Sequence, residues 1–197
     1  MEVLVTVPHG FCPTRMSREC DTRAGESGSK LAEALREALP ESVPVKLFFA
    51  NTERKIGDLN RRATRYTNWR INIQNTVEKA LAEGKSVLLF DVHSFPAECT
   101  SFCKPPHYKI PQIVLLDEND YPHAELMKRV KKSASLDYAN LLRASHRNDI
   151  TVQARKAGAE AMLWEFNESK NVLSEQKFRA VAHELAQYAL DKFKAIK

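Results

Sequence analysis

Two histidines stand where a metal ion or a substrate could reach them. His9 closes the apolar run "VLVTVP" in the context "VPHG", and His93 closes "SVLLFDV" in the context "FDVHS". Imidazole is the commonest metal-ligating side chain, so two of them at the ends of neighbouring strands can converge on one cation; taken singly, each reads as an ordinary hydrogen-bonded loop residue. A catalytic zinc takes three protein ligands and leaves a fourth position open, and a carboxylate often supplies the third. The segment "SRECDTRAGES" after His9 offers Glu19, Asp21 and Glu26. Asp21 is the preferred acid, because a loop residue ahead of a helix can turn toward the strand ends. Glu26 is the next candidate, although an acid in a helix's first turn is favoured by the dipole without any metal.

Three further groups could complete a reaction centre. Asp91 lies two residues before His93 and so on the same side of the strand. It could accept the proton of the histidine's second ring nitrogen, or simply cap backbone N–H groups. Glu165 sits in "LWEFNES", inside an otherwise apolar stretch, where a buried carboxylate is costly unless paired or functional. A glutamate beside an activated water is a general base and then a general acid; the plainer reading is a surface-facing residue on an edge strand, and Glu168 lies further out. In "ANTERKIGDLNRR" (50–62), the Arg61 guanidinium can hold a carboxylate through two parallel hydrogen bonds, with the Asn60 amide beside it. Arg54 could do the same or polarise a scissile carbonyl.

The elements that must position these groups alternate. Five short runs rich in Val, Leu, Ile and Phe read as strands: 3–8, 45–50, 86–92, 112–117 and 161–166. Helical spacing covers 26–39, where Leu31, Leu35 and Leu39 form a stripe stopped by Pro40, and 67–84, where Trp69, Ile73, Val77 and Leu81 recur every four residues before Gly84. Two helices, roughly 123–132 and 135–146, and a long one over 174–196 complete the pattern. This predicts a single α/β domain over 1–197, with a mostly parallel or mixed sheet covered by helices on both faces. Ligands of such sheets bind outside the carboxyl ends of strands, which is where both histidines fall.

Thirty Lys and Arg against 25 Asp and Glu leave a net charge of +5, too small an excess to demand a polyanionic partner. The basic runs "NRRATRYTNWR" (60–70) and "MKRVKK" (127–132) read first as solvated helix faces. No window approaches the length of apolar sequence needed to cross a membrane. The start of the chain lacks the pattern of a signal peptide. Cys12, Cys20, Cys99 and Cys103 therefore read as reduced thiols in a cytoplasmic protein.

"VPHG", "TERKIGDLNR" and "LLFDVHS", in that order and at these separations, resemble the N-formylglutamate amidohydrolase family, in which a VPH-type motif, an arginine shortly before DLNR, and a D-A-H-S motif recur. The DLNR element is also similar to that of aspartoacylases and the related zinc carboxypeptidases. The likeness covers roughly residues 5 to 95, with a looser one around Glu165. It implies a zinc-carboxypeptidase-like fold, one Zn2+ ion, and hydrolysis of an amide next to a carboxylate-bearing residue in a small acyl-amino acid or a peptide. On that resemblance His9 and His93 are metal ligands, Asn60 and Arg61 clamp the substrate, and Glu165 is the base. The chain departs from the carboxypeptidase pattern at position 12, where a cysteine replaces the glutamate expected three residues after the first histidine. The acidic ligand must then come from further along. A peptidase acting on a peptide or γ-glutamyl chain, and a non-catalytic basic binding protein on the same scaffold, are the competing readings.

Overall fold

The computed structural model describes residues 1–11, 21–52, 58–96, 109–117, 123–143 and 149–196. The runs that lack any polar alternation become the middle of the sheet. Strands β1 (Glu2–Val7) and β3 (Val87–Phe95) are buried at every residue, as expected for strands covered on both faces. β2 (Val45–Phe49), β4 (Ile113–Asp117), β5 (Ala139–Arg143) and β6 (Glu160–Asn167) complete six strands in the order β2-β1-β3-β6-β4-β5. β2, β1, β3 and β6 run parallel, β4 is antiparallel to β6, and β5 is parallel to β4. The sheet is therefore mixed.

Successive strand residues face opposite sides, and the two sides have different helices. Val3, Val5, Val7, Phe90, Val92, Met162, Trp164 and Phe166 pack with α1 (Ala24–Ala38), α3 (Ala124–Ser133) and α5 (Glu175–Ala195). Leu4, Val87, Leu89 and Ala161 pack with α2 (Asn68–Ala82) and α4 (Asp149–Ala157). The expected leucine stripe of α1 is buried. So are Ile73 and Val77 of α2, and Gly84 ends that helix at φ 74°, a left-handed conformation that glycine adopts without strain.

The helix expected over 135–146 does not form. α3 ends at Ser133, Ser135 takes a positive φ of 48°, and the chain re-enters the sheet as β5. The reason lies in two adjacent leucines. Leu141 packs on the α1/α3/α5 side and Leu142 on the opposite side against Phe95 and Val114, a division that period two allows and a helical stripe does not. α4, which the sequence reading did not assign, precedes β6; Ile150 and Ala154 are its buried pair, and Gly158 at φ 107° ends it.

Candidate metal centre

β1 and β3 are hydrogen-bonded neighbours in parallel register, with Thr6 opposite Asp91. Their carboxyl ends therefore open on the same edge of the sheet, and His9 and His93 come together there. Their rings lie 4.9 Å apart and nearly perpendicular. Both side chains are buried, and so is Asp21. The Asp21 carboxylate stands between the rings, with Oδ2 2.9 Å from His93 Nδ1 and 3.4 Å from His9 Nδ1.

The opposite nitrogen of each ring also meets a carboxylate. His9 Nε2 lies 2.8 Å from Asp58 Oδ1, and His93 Nε2 lies 3.3 Å from Asp91 Oδ2. Asp91 is itself fixed by the Thr6 hydroxyl, which donates to its Oδ1 at 2.6 Å. Each imidazole is thus oriented from behind, leaving Nδ1 to face Asp21. Burial alone would raise the Asp21 carboxyl, but hydrogen bonds and charge from His9 and His93 outweigh it and hold the group well below the usual carboxylate range. Burial would likewise lower the His93 imidazole, yet the charge of Asp91 and the hydrogen bonds to Asp21 and Asp91 raise it well above the ordinary histidine value.

This donor set fits a divalent cation. The three ligand atoms lie within 4.8 Å of one another, and a tetrahedral zinc site at ordinary bond lengths separates its ligand atoms by about 3.3 Å. Two imidazoles, one carboxylate and a carboxylate behind each imidazole are the ligand chemistry that such a site uses. Glu26 is elsewhere: it pairs with Lys30 at 2.8 Å on the surface of α1. Glu19, Arg54 and the four cysteines lie outside the described residues.

The DLNR turn borders the cluster. Asp58 Oδ2 accepts from Arg61 Nε at 2.8 Å, so one carboxylate holds both His9 and Arg61. Among the described residues, the two Nη groups of that partly exposed guanidinium carry no bond. Asn60 is buried, with its amide nitrogen 3.0 Å from His93 Nε2 and its oxygen toward Ile150 N–H at 3.5 Å. Arg65 and Arg70 both bind Asp149 at the start of α4, Arg70 at 2.8 Å, and Arg70 also donates to Leu59 O. Much of the basic run 60–70 is therefore spent on fastening this turn to α4. Glu165, only partly buried, is the register partner of His93 in the parallel β3–β6 pair and shares its face of the sheet. That face carries Thr6, Asp91, His93 and Glu165 together.

The sequence reading did not assign Asp58, although it lies in the quoted motif, because its contact with His9 spans 49 residues. Asp149 and Thr6 carried no local signal at all.

No protein-family profile and no curated protein matches the chain. Solved structures do. A gene product of Agrobacterium tumefaciens superposes at a TM-score of 0.70 with 17% identity, over 98% of this chain and 91% of that one. An N-formylglutamate amidohydrolase from Ralstonia eutropha matches at 0.61 with 14% identity, over 96% and 94%. A succinylglutamate desuccinylase from Chromobacterium violaceum matches at 0.54 with 11% identity, over 94% of this chain and 59% of that one. At these identities the likeness shows the fold alone: a mixed α/β sheet with helices on both faces, shared with these structures.

Proposed function

We propose that the chain is a metal-dependent amidohydrolase, with residues 1–197 as one catalytic domain and an N-acyl amino acid bearing a free carboxylate as substrate. The observation that carries this reading is the convergence of His9 Nδ1, His93 Nδ1 and Asp21 Oδ2, with a carboxylate behind each ring. The desuccinylase and the formylglutamate hydrolase with which it shares a fold are named for acyl-amino acids of that kind, which supports the substrate class.

His9, His93 and Asp21 would hold one ion, taken to be Zn2+. Bound there, it supplies Lewis-acid polarisation of the amide carbonyl and acidifies a water molecule. Glu165, opposite His93 in the sheet, takes the attacking water's proton and returns it to the leaving nitrogen. Arg61, held at Nε by Asp58, presents its outer edge to the substrate carboxylate. Asn60, whose amide lies beside His93, donates an N–H to that same carboxylate. Arg54 is assigned to the developing charge on the carbonyl oxygen.

Elemental analysis of purified protein and hydrolysis of N-formyl- and N-succinyl-glutamate test the reading together. About one zinc per chain, lost in His93→Ala along with turnover, is expected. Arg61→Ala should retain the metal and raise KM roughly tenfold or more, the cost of about 1.4 kcal/mol or more of carboxylate binding. Stoichiometric zinc in His93→Ala would overturn the ligand assignment.

A further inference from the structure

Position 12 cannot supply the acidic ligand of a His-x-x-Glu pattern, because it is a cysteine. The acid comes instead from Asp21, twelve residues after His9, and a ligand reached through so long a connection needs its own means of orientation. The structure shows what holds it. Asp21 N–H donates to His9 O at 3.3 Å, and Ala24 N–H donates to Asp21 O at 3.0 Å. The next two residues are fastened to the far ends of β3 and β6. Thr22 N–H donates to Glu168 Oε1 at 2.7 Å, and the Ser94 hydroxyl donates to the same oxygen at 2.9 Å. Arg23 N–H donates to Ser94 Oγ at 3.2 Å, and its buried guanidinium donates to the carbonyls of Asn167 and Leu173 at 3.1 and 2.7 Å.

One oxygen of Glu168 thus ties the residue after Asp21 to the residue after His93. Movement of either ligand's backbone relative to the other breaks one of these two bonds. We infer that Glu168 and Ser94 are positioning residues that set the distance between Asp21 and His93. The proposal rests on the metal-centre reading above and concerns how that centre is assembled. Glu168 acts through Thr22 and Ser94, the two residues whose donors its Oε1 accepts.

The test measures Zn2+ affinity by competition with a chromophoric chelator, together with the ligand-field absorption of Co2+-loaded protein. Glu168→Ala should weaken Zn2+ about 10- to 100-fold, the usual range for losing a group that orients ligands, and shift the Co2+ bands. Glu168→Gln keeps an acceptor oxygen for both donors and should stay within about threefold of the parent. In an Asp21→Asn background, Glu168→Ala should add less than about twofold, because its effect passes through Asp21. If Glu168→Ala does not fold, Ser94→Ala, which deletes one oxygen, carries the same expectations. Parent-like Zn2+ affinity and unchanged Co2+ bands in the alanine variant would overturn the positioning role while leaving the metal centre intact. A parent protein that binds no zinc, or a His93→Ala protein that keeps it, would remove both readings.

Discussion

Asp58 is the residue on which the two proposed roles, metal binding and carboxylate binding, meet, since its oxygens hold His9 and Arg61 separately. Asp58→Asn keeps the shape but removes the charge facing an imidazole that should donate its proton there. Zinc affinity is expected to fall about tenfold or more, and KM for carboxylate substrates to rise with it. Arg61→Ala should raise KM alone, so comparing the two variants by chelator competition and steady-state kinetics separates the shared carboxylate from the clamp. His9 and His93 were legible as candidates because each ends an apolar run, and an ionisable side chain in such a place demands a partner. Asp21 was legible as the preferred one of three nearby acids, because a loop residue ahead of a helix can turn toward the strand ends; the structure sets it between the two imidazoles and pairs Glu26 with Lys30 instead. Asp58 and Thr6 were not legible, because a carboxylate or hydroxyl that reaches across the fold leaves no local pattern.

At the scale of elements, the sequence exposed what burial on both faces dictates and obscured what depends on context. β1 and β3 announced themselves by unbroken apolar runs, and α1 and α2 by four-residue spacing. β5 did not, because a five-residue edge strand with two adjacent leucines also fits a helical reading until the chain around Ser135 turns. One close approach positions the element that follows Asp21. Gly28 in α1 lies so near β1 that a Cβ there would fall inside van der Waals contact with Val7 Cγ2. Gly28→Ala gains about 1 kcal/mol in helix propensity, yet overpacking a core contact costs about 1–3 kcal/mol, so a net loss is expected. Because α1 begins three residues after Asp21, zinc affinity should fall alongside stability. Denaturant unfolding and chelator competition measure the two effects, and an unchanged or raised midpoint would show that the helix can move without cost.

Across the whole molecule, the two ends of the sheet carry different charge clusters. Most cations of the basic runs have acidic partners: Arg61 pairs with Asp58, Arg65 and Arg70 with Asp149, Lys128 with Glu125, and Arg129 with Glu184 and Asp191. Binding of nucleic acid at physiological salt is therefore expected to be undetectable, and a steep fall of affinity with salt would instead support the scaffold reading. At the end opposite the candidate metal centre, Glu160 at the start of β6 joins α5 and the start of α3. It is bonded by Tyr188, by Lys192 at 2.9 Å, and lies 3.6 Å from His123. Burial would raise this carboxyl, but the nearby His123 imidazole and the bonds from Tyr188 and Lys192 bring it down to about 2 from an ordinary 4.5. A depressed carboxyl contributes stability that is fully present above the unfolded-state value and is lost as pH falls through the folded one. Glu160→Gln should thus lower unfolding free energy by about 1–3 kcal/mol at pH 7, with the gap between variant and parent narrowing steadily from pH 4.5 toward pH 2. Urea titrations of both proteins at pH 7 and pH 3 provide the comparison. A gap of equal size at both pH values would mean that packing at this end of the sheet, rather than the ionised carboxylate, holds the two helices to β6.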